Sequence, residues 1–225
     1  MIERKLDLPR KDENGVSKLS YSQIACYKKS KTDYIKRYIL EEPFIGNAYT
    51  DFGSNVGESL ENNSFESFSS KEQAILKTVE RLDIFERPIK IDYKGFYVNG
   101  FIDACTNDLT KIIDYKTGGN NKEFQYSEPD YTQLQYYAIG IKQETRVEVK
   151  SAEVHFIRRN GNAFRGQELT VANESPLVIN VDVSKNRLGE VYWDTVNIAL
   201  EIEKFYSEYK EGTLDLKNYR KKRLK

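Results

Sequence analysis

The sequence predicts an α/β fold in one domain, a mixed central β-sheet flanked by helices. Three observations predict it. Apolar residues recur at helical spacing up to about residue 85, then alternate at strand spacing between residues 89 and 116. Helical and strand patterns then take turns to the end of the chain, the order of an α/β domain. No internal repeat or low-complexity linker divides the 225 residues. They read as a single domain over 1–225, with an irregular lead-in over 1–16 and a basic tail over 213–225.

The elements follow in order. Ser20 to Leu40 reads as a helix, with Ile24, Tyr27, Tyr34, Ile35 and Tyr38 on an apolar face and five basic residues outside it; Pro43 and Gly46 end it. A second helix is expected from Asp51 to about Asn62. A third starts at a Ser70 cap and runs to about Phe85, where Pro88 closes it. Ile89 to Tyr93, Phe96 to Cys105 and Leu109 to Lys116 read as three strands, joined by tight turns at Lys94-Gly95 and Asn107-Asp108. Ser127-x-x-Asp130, with Pro129 in its first turn, predicts a helix to about Gln143. Val149 to Arg158, Glu168 to Ala172 and Leu177 to Val183 look like further strands. A long helix from about Leu188 to Lys210 ends at Gly212.

Composition excludes several classes. No run of about 18 apolar residues predicts a membrane-spanning helix. Met1-Ile2-Glu3-Arg4-Lys5 opens no secretory signal. Cys26 and Cys105 lie far apart, which argues against a disulfide framework or a cysteine metal site and suits a cytoplasmic setting. The 35 Lys and Arg balance the 35 Asp and Glu, so net charge alone implies no polyanionic partner. Basic residues do gather at Lys217, Arg220, Lys221, Lys222, Arg223 and Lys225, which reads equally as a solvated end or as a phosphate-contacting tail. Usage rich in Lys, Asn, Ile and Tyr hints at an AT-rich source, a bacterium or its phage.

The chemistry gathers on two strands. In Gly100-Phe101-Ile102-Asp103-Ala104-Cys105 a carboxylate interrupts a largely apolar strand, and Lys111-Ile112-Ile113-Asp114-Tyr115-Lys116 repeats the pattern and ends on a lysine. Asp114 and Lys116 are two apart and face the same side of a strand. Antiparallel pairing across a tight turn brings Asp103 beside Asp114. Buried unpaired, such charges cost several kcal/mol each. A divalent cation offsets the repulsion, and hard oxygen ligands suit Mg²⁺ or Mn²⁺. With 13 Asp and 23 Lys, about 1.3 Asp-x-Lys tripeptides are expected by chance, so the tripeptide alone decides nothing. Of the other two copies, Asp92-Tyr93-Lys94 runs into a hairpin turn and Asp215-Leu216-Lys217 falls in the tail. Downstream, Gln133 and Tyr137 are four apart and share a helix face. His155, the one histidine, has no partner motif and reads as structural or solvent-facing.

Gly-x-x-Asp, then Ile-Asp-Tyr-Lys-Thr-Gly, then Gln-x-x-x-Tyr resembles the RecB-like branch of the PD-(D/E)XK nuclease superfamily. Leu19-Ser20-Tyr21-Ser22-Gln23-Ile24 and Phe52-Gly53-Ser54-Asn55-Val56 are similar to two helical motifs of that branch. The resemblance covers about residues 19–140. It implies a restriction-endonuclease-like core and metal-dependent hydrolysis of DNA. The metal ligands would be Asp103, Asp114 and the backbone carbonyl of Tyr115. Lys116 would act at the attacking water, with Gln133 and Tyr137 beside it. It further implies exonuclease action in replication, recombination or repair, near the nucleoid, with a helicase or recombination protein as partner. Many members carry a metal-binding histidine at the position of Gly57 here. Glu58, next to it, is the expected substitute, and Glu61 lies one turn along. Two cysteines cannot hold the iron–sulfur cluster of some members. The altered histidine position leaves a second expectation, a weak or inactive nuclease-fold DNA-binding or scaffold subunit of a larger complex.

Overall fold

The computed structural model describes residues 4–219. Seven strands form one mixed sheet: β1 (Lys18–Ser20), β2 (Ile84–Asp92), β3 (Tyr97–Cys105), β4 (Lys111–Gly118), β5 (Ser151–Asn160), β6 (Thr170–Val171) and β7 (Leu177–Asn180). The helices are α1 (Tyr21–Lys29), α2 (Lys31–Tyr34), α3 (Ala48–Asn62), α4 (Ser70–Leu76), α5 (Gln133–Thr145) and α6 (Lys185–Glu211). The sheet runs β1-β3-β4-β5-β6, with β2 on β3 and β7 on β5. Pairing is parallel for β1–β3 and β4–β5 and antiparallel for β3–β4, β5–β6 and β5–β7. The expected mixed α/β architecture is therefore present. Among the described residues no helix is long and apolar enough to cross a membrane.

The described chain forms two compact units. One holds residues 4–44, 90–100 and 189–219. Its core is aromatic: Tyr27 meets Tyr34 and Phe205 edge-on at centroid distances of 5.0 and 5.4 Å. Here the helix expected over Ser20–Leu40 is broken into α1, α2 and a five-residue π turn over Ile35–Ile39. Ser30 causes the break. Its backbone is extended and its hydroxyl accepts from Asp33 N–H at 3.2 Å, so it caps a new helix instead of continuing the old one. The Lys94 turn is as expected, with Tyr93 N–H donating to Phe96 O at 3.0 Å and Lys94 at φ 65°. Leu216–Tyr219 forms a 3₁₀ turn carrying Lys217. The rest of the basic tail, Arg220 to Lys225, lies outside the described residues.

The other unit holds residues 45–89 and 101–188. Asn47 and Ser69 start α3 and α4 through reciprocal capping boxes with Thr50 and Glu72. Val56, Leu60, Phe65, Phe68 and Leu76 form the core that these helices share with Ile157 and Val171 of the sheet. Helix α4 stops at Leu76 rather than Phe85, and residues 84–92 form β2. Pro88 marks this strand rather than a helix end, since its fixed φ suits extended backbone. Helix α5 begins at Gln133, later than the Ser127-x-x-Asp130 signal, because a 3₁₀ turn at Glu123–Tyr126 leaves Ser127 as its C-cap.

Candidate active site

Glu58, Glu61, Asp103, Asp114, Tyr115, Lys116, Gln133 and Tyr137 all lie in this second unit, whereas the Leu19–Ile24 motif lies in the first. Strand β4 is anchored on one side by eight parallel Cα pairs with β5, from Lys111↔Ser151 to Gly118↔Arg158. On its other side the ladder with β3 holds only Cys105↔Ile112 and Ala104↔Ile113. At the next position the Asp103 carboxylate takes over: Oδ2 accepts from Tyr115 N–H at 2.9 Å. A side chain thus satisfies a backbone donor that a neighbouring strand would otherwise pair. The strands part there, and a carboxylate is held at the fork.

Asp114 is fully buried and belongs to the same sheet face as Lys116. Lys116 Nζ donates to Asp114 Oδ1 at 2.6 Å and lies 3.9 Å from Asp103 Oδ2. Tyr131 OH donates to Asp114 Oδ2 at 2.6 Å. Asp103 Oδ1 accepts no hydrogen bond among the described residues. Burial and then the Asp114 charge push the Asp103 carboxyl up to about 7, against the pull of Lys116. Burial acts to lower the Lys116 ammonium, but Asp114 and Asp103 outweigh it and its pKa is raised. The three groups are one electrostatic unit, two acids sharing one cation.

A cleft of about 540 Å³ opens over this unit, lined by Asp103, Tyr115, Lys116 and Thr117 from the sheet. Helix α3 supplies the opposite wall with Gly53, Gly57, Glu58 and Glu61. A Cβ at Gly53 would stand 3.3 Å from Thr117 Oγ1, so glycine lets the helix approach the strand. A Cβ at Gly57 would meet nothing within 4 Å, so the missing side chain leaves space in the cleft. Both Glu58 and Glu61 line it.

Two further residues belong here that sequence reasoning passed over. Glu86 of β2 also lines the cleft, at φ 47°, and burial followed by the Glu61 charge raises its carboxyl pKa against the pull of Lys116. The expected helix to Phe85 hid it; reading 84–92 as a strand would have placed it. Tyr131 stands two residues ahead of Gln133, and no periodicity distinguishes it from the chain's fifteen other tyrosines. Gln133 and Tyr137 do form a pair on α5, Gln133 Nε2 donating to Tyr137 OH at 2.8 Å. They do not line the cleft. Tyr137 is buried, and burial first, then the Asp114 and Asp103 charges, raise its pKa although Gln133 opposes this.

The alternate side chains of β4 and β5 carry a second polar group. Ligand atoms of Glu80, Glu153 and His155 lie within 4.8 Å of one another. His155 is buried and its Nε2 is 2.9 Å from Glu153 Oε2. This group already holds a cation: Lys111 Nζ lies 2.7 Å from Glu80 and 3.1 Å from Glu153. A metal there must displace that ammonium. Among the described residues, Glu80, Glu153 and His155 form the one group of three potential ligands, whereas of the aspartate pair Asp103 lines the cleft and Asp114 lies buried behind it.

No family model matches this chain, and no curated protein matches it in sequence. Solved structures are similar to it. A candidate exonuclease from Eubacterium rectale superposes with a TM-score of 0.53 at 11% identity, over 88% of this chain and 83% of its own. LHK-Exo, crystallised with dAMP, gives a TM-score of 0.43 at 16% identity, over 88% of this chain and 94% of its own. At 11% identity the first of these shows a shared fold alone, a mixed sheet with flanking helices.

Proposed function

We propose that this chain is a divalent-metal-dependent deoxyribonuclease acting from the Asp103–Asp114–Lys116 cleft, most simply as an exonuclease in DNA replication, recombination or repair. The observation that carries the reading is the convergence of two neighbouring aspartates and one lysine at a fork in the sheet, under an open cleft. The fold shared with the candidate exonuclease supports it. The donor set fits Mg²⁺ or Mn²⁺: Asp103 offers Oδ1 to the cleft, Asp114 an oxygen now held by Lys116, and Tyr115 its carbonyl. Glu58, or else Glu61, would complete the set from α3. A bound cation supplies Lewis-acid stabilisation of phosphoryl charge and a more acidic water.

The chain's own groups do the rest. Tyr131 holds Asp114 in place through Oδ2, so Oδ1, which accepts from Lys116, is the oxygen that would face a bound cation. Lys116, which lines the cleft, holds its positive charge where it would stabilise the charge that develops on the phosphate. Tyr115 N–H orients Asp103. Gln133 and Tyr137 back this layer and fix its geometry.

End-labelled linear and circular DNA incubated with Mn²⁺ tests the activity. Loss of the linear substrate alone indicates an exonuclease. Asp114→Asn should abolish cleavage without unfolding the chain, because it removes a ligand charge but keeps the shape. Unchanged cleavage by that variant would sink the assignment. The scaffold reading draws on the open space at Gly57. It predicts DNA binding without turnover in Mg²⁺ or Mn²⁺.

A further inference from the structure

We propose that Phe164, packed at a tilt against Tyr49, with Arg159 over Tyr49 and Arg165 next in the chain, is a base-stacking platform for a single strand of the DNA that enters the cleft. The proposal rests on the nuclease reading for its substrate but on separate residues for its site. Phe164 is 85% exposed, and a single exposed ring by itself is ordinary. It is nevertheless mounted firmly. Tyr49 OH accepts from Ala163 N–H at 3.0 Å and donates to Asn162 Oδ1 at 3.1 Å, and Asn162 Oδ1 also accepts from Phe164 N–H at 3.0 Å. The turn before it tolerates only glycine, since a Cβ at Gly161 would come within 1.9 Å of Glu168 O. The Phe164 and Tyr49 rings lie 5.4 Å apart, and the Arg159 guanidinium sits 4.1 Å over Tyr49.

Charge indicates the occupant. Among the described residues no carboxylate pairs with Arg159 or Arg165, so one cation lies over Tyr49 and another, exposed, follows Phe164 in the chain. That combination suits a base on the ring and phosphates on the arginines, the arrangement that binds single strands without reading sequence. Position agrees. Tyr49, Gly53 and Gly57 recur every four residues on one face of α3, and Gly53 and Gly57 line the cleft. The Tyr49 end of the platform therefore lies about 6 Å of helix rise from the first of them, roughly two nucleotides at about 3.4 Å each.

The test is fluorescence anisotropy of the full chain, in Ca²⁺ without turnover, against labelled oligo(dT) and an abasic strand of equal length. Wild type should prefer the strand with bases. Phe164→Ala should weaken oligo(dT) binding by roughly tenfold, as expected for one lost stack, and bring it to the abasic level. Phe164 is exposed, and an unchanged melting temperature would verify folding. Hydrolysis of bis(4-nitrophenyl) phosphate, too small to reach the platform, should be unaffected. Equal oligo(dT) binding by wild type and Phe164→Ala would overturn the proposal. So would a dimer in ultracentrifugation that Phe164→Ala dissociates with DNA binding unchanged, which would make the ring a contact between copies. If wild type cleaves no DNA, the nuclease reading fails, and the anisotropy comparison still decides the platform.

Discussion

At the residue scale the site turns on which oxygen each charge occupies. Lys116 bonds Asp114 and stands near Asp103, whereas Lys94, in the other Asp-Tyr-Lys tripeptide, sits exposed on a turn. Lys116→Ala should lower kcat by roughly a hundredfold or more, the usual cost of one donor aimed at transition-state charge. Lys94→Ala should leave kcat within about twofold, as surface changes far from a site cost little. Reversed effects in steady-state kinetics would show that the wrong strand had been chosen. The wall of α3 gives a second comparison. Glu58→Gln should weaken Mn²⁺ binding in calorimetry more than Glu61→Gln does, because Glu58 adjoins the open space at Gly57. Equal, undiminished affinity in both variants would leave Glu86 as the remaining acid of the cleft and shift the ligand set to β2.

At the scale of elements, the site depends on β4 being held rigidly on one side and released on the other. The long ladder with β5 fixes Asp114 and Lys116, while the short ladder with β3 frees Asp103 and Tyr115 N–H to meet. Helix α3 is held to the sheet by Leu60, fully buried beside Val56 and Leu76. Leu60→Ala should cost about 2–5 kcal/mol through lost burial and a cavity. Thermal unfolding should show the loss, while the cleavage rate per folded molecule falls far less than in Lys116→Ala. Stability within about 0.5 kcal/mol of wild type, the range of changes away from the core, would mean that α3 is not anchored there.

At the scale of the whole molecule, the site is a source of instability that grows with pH. The folded pKa of Asp103 is raised above its ordinary value of 3.8 to about 7, so between those limits the folded chain holds a proton that the unfolded chain has released. Stability contributed by that proton is present at low pH and is lost as pH rises through about 7. Asp103→Asn removes this term. Without metal, its melting temperature should exceed that of wild type by a margin that widens from about pH 5 to about pH 8, on either side of the shifted value. A margin that does not change over that range would show that Lys116 holds Asp103 ionised throughout. Mn²⁺ should shrink the wild-type deficit, since a bound cation stabilises the ionised pair.

Local geometry was legible in the residues themselves. Strand alternation placed Asp114 and Lys116 on one side, the short turn brought Asp103 beside them, and the four-residue spacing paired Gln133 with Tyr137, because each depends on backbone periods of two or 3.6 residues. The mixed sheet followed from the same periods. Three features depended on tertiary structure. Ser30 splits a helix by capping the next one, a competition that apolar spacing does not register. Glu86 enters the cleft because residues 84–92 pair with β3, and pairing partners far along the chain are not written in local pattern. Tyr131 reaches Asp114, and Phe164 is mounted on Tyr49, through hydrogen bonds that span 17 and 114 residues. Such contacts arise from chain path and packing, which only the folded molecule decides.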